Sequence, residues 1–363
     1  MALPALDFPA SPIVGQLYPD PPVTGQPTYK WDGAQWLAYR ASGVPGLTVP
    51  AAPFDALAYN GMQVNGSMEV SQENGSTAVS FVGGSFTKYI VDGFYVKNSS
   101  TAAFTAQQSA SVFYGYNSEL KLTITTALAV SGAEDIVIYG MIEGYRFVRA
   151  RWGTSNAVPV TVGFWVRSSV AGVLFLQIAN EDISHAANAT VTIAAANTSQ
   201  WVTATFPAYT TGVWNPTNGT GARLRIFPAS WNGINVAATV GNTFEITGVV
   251  VLPGIEAPTA AQSSLIMRPY DQELVTCQRY YTKTEATARF YAAAAGHNVE
   301  NEIYWQVKMR AAPTLSRVAG LQANISSVVA TQPTISGARF NVASAAAGDC
   351  YSIQEIISAD ARL

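Results

Sequence analysis

Charged side chains are scarce in this chain of 363 residues. Asp, Glu, Lys and Arg together make up 12% of the residues, about half of the usual share. The formal net charge is −3, and the densest basic stretch holds only Arg146, Arg149 and Arg151. A protein that binds nucleic acid needs a basic stripe to neutralise phosphates, so this composition predicts no nucleic-acid partner.

Cysteine, histidine and long apolar runs are also lacking. Cys277 and Cys350 are too few for a disulfide framework, and we expect buried thiols. His185 and His297 have no partner at the spacing of metal ligands, so no cofactor is predicted. No run approaches the roughly 18 apolar residues of a membrane span, and the N-terminus lacks the features of a signal peptide. We therefore expect no membrane insertion.

Candidates for catalysis are weak. Asp182, Ser184 and His185 lie close in sequence, but the fold and not local proximity assembles a catalytic triad, and no Gly-x-Ser-x-Gly motif is present. Glu181 and Asp182 would point to opposite faces of a strand, which makes them a poor pair for glycosidase chemistry. They remain weak candidates for a calcium site in a loop. We expect no catalytic residue.

The chain is instead rich in apolar residues, which make up 48% and fall in short runs between Gly, Asn and Pro clusters. Residues alternate between apolar and polar in 120–125 and 160–167, which is typical of strands. The run 173–178 is apolar on both faces, like a central strand, and 201–206 and 244–252 are further candidates. Many short strands of this kind predict an all-β fold with a β-sandwich of the jelly-roll type.

The strand and breaker pattern divides the chain into an N-terminal hairpin module, a linker, a jelly-roll β-sandwich and a small C-terminal β domain: residues 1–45, 46–58, 59–265 and 266–363. A short helix is predicted over residues 269–283, between the last two, with Asp271 as its N-cap. Residues 303–309 are among the strands predicted for the C-terminal domain.

The N-terminal module contains Tyr29, Trp31, Asp32, Gly33 and Trp36. Asp-Gly between aromatic residues predicts a tight β-hairpin. A lone hairpin with two Trp residues is marginal in water, so we expect it to dock on another chain. Tyr29, Trp31, Asp32 and Trp36 are the candidate docking residues.

Aromatic residues beside amides are what a sugar-binding surface needs, because rings stack on the C–H faces of sugars and amides bond their hydroxyls. Trp214-Asn215 and Trp231-Asn232 lie in loops rich in Gly, Pro and Asn, so they are the best candidates for glycan contact. Closure of the core or a subunit contact is the alternative for these residues. Trp165 and Trp201 lie within predicted strands, where packing is expected.

An ordered series of short motifs covers most of the chain. It consists of Phe8–Pro12, Val14–Gln16, Tyr29–Gly33 with Trp36, Tyr59–Gln72, Tyr89–Tyr95, Ile142–Tyr145, Trp152–Thr154, Val162–Ser169, Phe244–Val249, Arg268–Tyr281, Met309–Thr314 and Ser358–Leu363. Each motif is weak alone, but the order resembles that of bacteriophage tail-fibre or spike proteins. The chain departs from that pattern at Gly93-Phe94, where the family often has Arg-Trp.

The resemblance implies a carbohydrate-binding-module-like jelly roll followed by a small C-terminal β domain. It implies a homotrimeric fibre or spike in the virion, assembled in the bacterial cytoplasm. Its partners would be other virion proteins (portal, tail or baseplate) and a glycan of the host-cell surface. The resemblance assigns no ligand-binding residue. The alternatives are a structural decoration or connector protein and a polysaccharide depolymerase, although the short repeats of a β-helix are not seen.

Overall fold

The computed structural model describes residues 8–20, 28–39, 61–84, 86–128 and 134–363. Nearly all regular structure in these residues is β, which confirms the predicted fold class. The chain divides into two compact units, Met1–Ala52 and Pro53–Leu363. The predicted linker, residues 46–58, lies outside the described residues, as do Tyr59 and Asn60 of the motif series.

The N-terminal unit contains a three-stranded antiparallel sheet. Its strands are β1 (Leu17–Tyr18), β2 (Thr28–Trp31) and β3 (Trp36–Tyr39). Trp31 lies directly opposite Trp36, which confirms the predicted hairpin and leaves residues 32–35 as its turn.

The second unit begins with a sandwich of two six-stranded antiparallel sheets. The first sheet has the spatial order β13 (Gln200–Phe206), β10 (Val160–Ser168), β15 (Thr243–Pro253), β8 (Ser118–Thr126), β7 (Ala103–Ala110) and β4 (Val79–Phe81). The second has the order β12 (Ala186–Ile193), β11 (Gly172–Ala179), β14 (Thr220–Ser230), β9 (Asp135–Glu143), β6 (Phe94–Asn98) and β5 (Phe86–Val91). All five strands predicted in the sandwich are present.

The core of the sandwich consists of the side chains that point between the two sheets. Leu122 on β8 and Phe164 on β10 belong to the first sheet, and Ile138 on β9 and Leu176 on β11 belong to the second. All four are fully buried or nearly so. Because side chains alternate along a strand, the residues between them form the outer faces of the sandwich.

The helices are short. They are α1 (Gly144–Phe147), α2 (Tyr270–Gln278) and the 3-10 helices Val148–Ala150, Val236–Ala238 and Ser263–Ile266. Helix α2 confirms the predicted linking helix, but Asp271 is not its N-cap. Pro269 occupies that position and Asp271 lies in the first turn, where its charge favours the helix N-terminus. The helix ends at Gln278 because Tyr281 pairs with Asp360 and begins a strand.

Two smaller antiparallel sheets follow helix α2. The first contains β16 (Tyr281–Ala292), β22 (Gly348–Asp360), β18 (Thr314–Val318) and β19 (Leu321–Ala323); the second has the order β17 (Asn298–Tyr304), β21 (Gly337–Ser344) and β20 (Ile325–Thr331). Both cysteines are buried and unpaired, as predicted.

The strand predicted over residues 303–309 ends early, at Tyr304. Trp305 and Met309 leave the sheet and fill the core with Phe340. The Trp305 indole donates a hydrogen bond to the carbonyl of Thr334 at 3.0 Å. These apolar residues belong to the core although they lie in an irregular segment. The apolar run alone therefore predicted too long a strand.

Buried ion pairs join helix α2 and the residues after it to the sandwich. Glu273 is 3% exposed, pairs with Arg268 at 3.0 Å and accepts the backbone N–H of Asn65 at 2.7 Å. Glu143 at the end of β9 pairs with Arg279 at 2.6 Å. These contacts fix the C-terminal sheets against one end of the sandwich.

Asp92 lies in the turn between β5 and β6 and is 4% exposed. Burial raises the pKa of its carboxyl from 3.8 to about 6, and hydrogen bonds from Gln72 oppose the rise. The unfolded chain therefore loses this proton at lower pH than the folded chain. Between these two pKa values the folded state binds more protons, so the free energy of unfolding falls as the pH rises.

We expect the Asp92 carboxyl to lower the free energy of unfolding by about 2–3 kcal/mol between pH 4 and pH 7. In Asp92→Asn this decline should disappear, because the amide does not titrate. Urea denaturation across the pH range measures it, with Asp271→Asn on the exposed helix surface as the control. An unchanged decline in Asp92→Asn would contradict the assignment.

Candidate functional site

Trp214 packs inside a cluster of rings at one end of the sandwich. Its exposed fraction is 8%, and its ring lies 4.9 Å from that of Trp152, 5.4 Å from Phe147 and 5.7 Å from Tyr209. The indole N–H donates to the carbonyl of Thr211 at 3.1 Å. Trp214 therefore closes the core, which was the predicted alternative to glycan contact.

The loop that contains Trp214 separates two open clefts. The first has a volume of about 580 Å³ and the second about 650 Å³, and Asn215 borders both. The second cleft also brings Glu181 and Asp182 next to Asn215. The Asn215 side chain accepts hydrogen bonds from the backbone and hydroxyl of Thr217, so it shapes its own loop.

Trp231 and Asn232 lie outside both clefts. Trp231 is 66% exposed and, with Asn232, forms the turn after β14. Glu181 and Asp182 are exposed in the turn between β11 and β12, where hydrogen bonds from Ser184 lower the pKa of Asp182. In the part of the chain that the structure describes, no group of three or more His, Cys, Asp or Glu side chains could hold a metal ion.

The candidate docking residues of the N-terminal unit pack mainly against one another. Phe8 stacks on Trp36 at 5.0 Å and meets the edge of Tyr29 at 5.1 Å, and Trp31 lies 5.6 Å from Trp36. The Asp32 carboxylate accepts two backbone N–H groups of its own turn, each at 2.8 Å. These contacts stabilise the unit itself. The exposed apolar surface of the unit is therefore formed by other residues.

Part of the outer face of the first sheet, around Trp165 and Trp201, is covered. The Trp165 indole donates to the hydroxyl of Ser263 at 2.9 Å, and the Trp201 indole donates to the carbonyl of Pro258 at 3.0 Å. Both acceptors belong to the segment that follows β15. The two tryptophans are thus packing residues beneath this segment, as expected from the sequence.

The outer face of the second sheet presents a row of rings and polar groups that the sequence analysis missed. One residue comes from each strand, and neighbours in the row lie directly opposite each other in the strand pairing. We call it the aromatic row: Tyr89, Tyr95, Tyr139, Arg225, Gln177 and Asn188, on β5, β6, β9, β14, β11 and β12.

The rings and the guanidinium of the aromatic row are in close contact, stacked at Tyr95 and Tyr139 and edge-on at Tyr89 and Tyr95. Tyr95 and Tyr139 lie 4.5 Å apart with an interplanar angle of 14°, and Tyr89 lies 5.4 Å from Tyr95. The Arg225 guanidinium lies 5.3 Å from the ring of Tyr139 and 4.9 Å from that of Phe227, which favours cation–π attraction. Packing of this kind holds the surface rigid.

Hydrogen bonds extend the aromatic row to the edge of the sheet. Arg225 donates to the side-chain oxygen of Gln177, and Gln177 donates to that of Asn188 at 2.8 Å. Both amides are therefore oriented by their neighbours. Gln177 and Arg225 are half-buried and Asn188 is exposed, whereas Tyr139, at 1% exposed, forms the floor.

Burial raises the pKa of two phenols of the aromatic row, those of Tyr89 and Tyr95. It raises the pKa of Tyr95 to about 12, and the nearby Arg223 opposes the rise. Burial also raises the pKa of Tyr89 well above its ordinary value. The Tyr89 hydroxyl donates to the carbonyl of Leu363 at 2.6 Å. Both phenols are neutral hydrogen-bonding groups near neutral pH.

The arrangement offers amide and guanidinium donors on a floor of mostly buried rings. Phe175 adds a half-buried ring, 5.1 Å from Phe227. Exposed Asn188, Thr190 and Thr192 line the neighbouring edge strand. Such a surface can hold a ligand that has both C–H faces and hydroxyl groups.

No protein-family model matches the chain, and no curated protein sequence matches it. Solved structures do show similarity. The enzymatically active domain of bacteriophage CBA120 tailspike protein 4 is 10% identical over 54% of this chain, with a TM-score of 0.31, and this chain covers 22% of that one.

Two carbohydrate-binding modules are also similar. The family 11 module from Clostridium thermocellum, in complex with a β-1,3-1,4-mixed-linked tetrasaccharide, is 8% identical over 49% of this chain and 100% of that one, with a TM-score of 0.29. TmCBM61 in complex with β-1,4-galactotriose is 9% identical over 44% of this chain and 88% of that one, with a TM-score of 0.27. At these low scores, the β-sandwich is established by the strand pairing described above.

Trp214 and Trp231 differ in burial, and this difference predicts different effects on stability. Trp214→Ala should lower the free energy of unfolding by about 3–5 kcal/mol, because it leaves a cavity among three rings. Trp231→Ala should change it by no more than about 0.5 kcal/mol. Chemical denaturation of both variants tests the difference. Equal effects would show that Trp214 does not close the core.

Proposed function

We propose that the chain is a non-enzymatic fibre or spike protein of a bacteriophage particle, which binds a glycan of the host surface on the aromatic row. The observation that supports glycan binding is the row of amides and a guanidinium on the second sheet, which lies on closely packed, mostly buried rings. The motif series supports the place in a virion.

The polar edge of the row favours a glycan over a protein partner. Protein interfaces have an apolar core with aromatic and Met residues, surrounded by a polar rim. On this face, Tyr139 and Met141 are almost fully buried, so they offer little apolar surface to a partner. The accessible groups are amides, hydroxyls and a guanidinium, which match the hydroxyls of a saccharide.

The make-up of the aromatic row supports binding without cleavage. Glycoside hydrolysis requires two carboxyl groups that flank the scissile bond. None of the six residues of the row is an acid. The carboxylates at the two ends of β9 are engaged elsewhere, Asp135 with Ser99 and Glu143 with Arg279.

Two exposed apolar surfaces support assembly into a particle. Ile13 and Val14 of the N-terminal unit are 73% and 75% exposed, and we propose that they contact the virion partner. Val318, Leu321 and Val329 of the C-terminal sheets are 64%, 60% and 47% exposed. Association into the proposed homotrimer would cover such side chains.

We expect Gln177→Ala/Asn188→Ala to bind its glycan at least about tenfold more weakly than the wild-type chain, because two oriented hydrogen-bonding groups are lost. Trp231→Ala, which removes an exposed ring outside the row, should bind normally. An array of bacterial surface polysaccharides identifies the ligand, and calorimetry measures the affinities. Unchanged binding by the double variant, or no binding by the wild-type chain, would refute the proposal.

Virion attachment through the N-terminal unit has its own test. Ile13→Asp/Val14→Asp should be absent from purified particles, because charges replace the apolar contact. Val82→Asp, at a position 60% exposed in the second unit, serves as the control. Quantitative mass spectrometry of particles measures incorporation. Normal incorporation of the first variant would count against docking through Ile13 and Val14.

A further inference from the structure

We infer that the saccharide held by the aromatic row is anionic, and that Arg223 and Arg225 bind its carboxylate or phosphate group. The inference rests on the proposed glycan-binding function and names the class of its ligand. Both arginines lie on β14, two residues apart, so their side chains share the outer face of the second sheet.

The two arginines occupy the middle of the sheet. Arg225 lies between Tyr139 on β9 and Gln177 on β11. Arg223 lies between Met141 and Ala179 on the same two strands. A ligand that covers the aromatic row at this point therefore meets both guanidinium groups.

Neither arginine has an acidic partner among the residues that the structure describes. Other partly buried arginines do: Arg268 pairs with Glu273 at 3.0 Å, Arg279 with Glu143 at 2.6 Å and Arg317 with Glu355 at 2.8 Å.

The Nε atoms of Arg223 and Arg225 are buried, and no hydrogen-bond partner for them is present in the described part of the chain. A partly buried cation without a counter-charge is costly, so an anion bound beside these two groups would be favoured.

The face around the arginines is cationic although the chain has a net charge of −3. Lys97 on β6 has the same orientation as Tyr95 and adds a third positive charge, against the one carboxylate of Asp135 at the start of β9. Arg362 near Tyr89 does not add to this excess, since it is paired with Asp360 and Glu73. The local charge is thus complementary to an acidic saccharide.

Arg225 is also held in place before a ligand arrives. Its guanidinium lies within 5.3 Å of the rings of Tyr139 and Phe227 and donates to Gln177. A fixed guanidinium fork matches the two oxygens of a carboxylate or phosphate and loses little side-chain entropy on binding. The half-buried ring of Phe175 would contact the sugar while the two arginines hold its acid group.

The test uses the full chain and the polysaccharide that binds it best on an array of acidic and neutral bacterial glycans. That polysaccharide is assayed untreated, after reduction of its carboxyl groups and after removal of its phosphates. One of these treatments should weaken binding at least about tenfold, which identifies the acid group. Added salt should also weaken binding to the untreated polysaccharide.

Arg223→Gln and Arg225→Gln should each bind the untreated polysaccharide at least about tenfold more weakly, with unchanged circular dichroism. Arg225→Lys keeps the charge but loses the fork, so an intermediate loss is expected. Arg339→Gln makes the same change in net charge in the C-terminal sheets, and it should bind normally.

The outcomes separate this inference from the proposed function. Binding that is lost in Gln177→Ala/Asn188→Ala but kept within about twofold in both arginine-to-glutamine variants would leave glycan binding intact and overturn the anionic ligand. Tight binding of a neutral polysaccharide through the same row would do the same. A wild-type chain that binds no glycan would overturn both.

Discussion

Strand β9 is buried on both faces, and the structure of the second sheet depends on its pairing. Ile136 and Ile138 point into the core of the sandwich, while Val137 and Tyr139 point outward. A shift of one residue in its register would exchange the two sets and place Tyr139 in the core. The same pairing sets Tyr139 opposite both Tyr95 and Arg225, so a single register positions the core and the aromatic row.

The fold could be predicted where the information is local. Alternation within 120–125 or 160–167 states which side of a strand is buried, and the pattern needs only six to eight neighbouring residues. The prediction failed where tertiary packing decides the ending of an element. Trp305 is as apolar as a strand residue, but it leaves the sheet to reach Thr334. Helix α2 likewise ends at Gln278 because the partner of Tyr281 is Asp360, which lies far away in sequence.

The aromatic row could be predicted only in small part. Asp92-Gly93 is a hairpin signal, but a regular two-residue turn there would set Ile90 opposite Tyr95. A bulge between Tyr89 and Val91 places Tyr89 there instead. The link from Tyr95 to Tyr139 depends on the order of strands in the sheet, which no local pattern contains. The two tryptophans in loops were predicted as glycan contacts because their sequence neighbours suggest exposure. Trp214 shows that rings from distant segments can bury such a residue.

Several residues of the motif series form the junction between the sandwich and helix α2. Asn65 has a positive φ of 55°, and its side chain holds the backbone of Val70. A Cβ atom on Gly66 would lie 2.2 Å from the carbonyl oxygen of Val249, so glycine is required at that close approach. Asn65 also donates to Glu273, another motif residue. These motif residues therefore join the sandwich to helix α2.

The aromatic row has a different relation to those motifs. Tyr89 and Tyr95 lie within them, but Tyr139, Gln177 and Arg225 do not. The framework fixes the pairing of the strands, and the pairing fixes where each outward side chain lies, whatever its identity. Ligand chemistry can then be set by the outward residues alone. The pair of arginines on β14 that has no acidic partner among the described residues is an example. The core residues Leu224 and Ile226 on the same strand point the other way, so they are independent of the ligand chemistry.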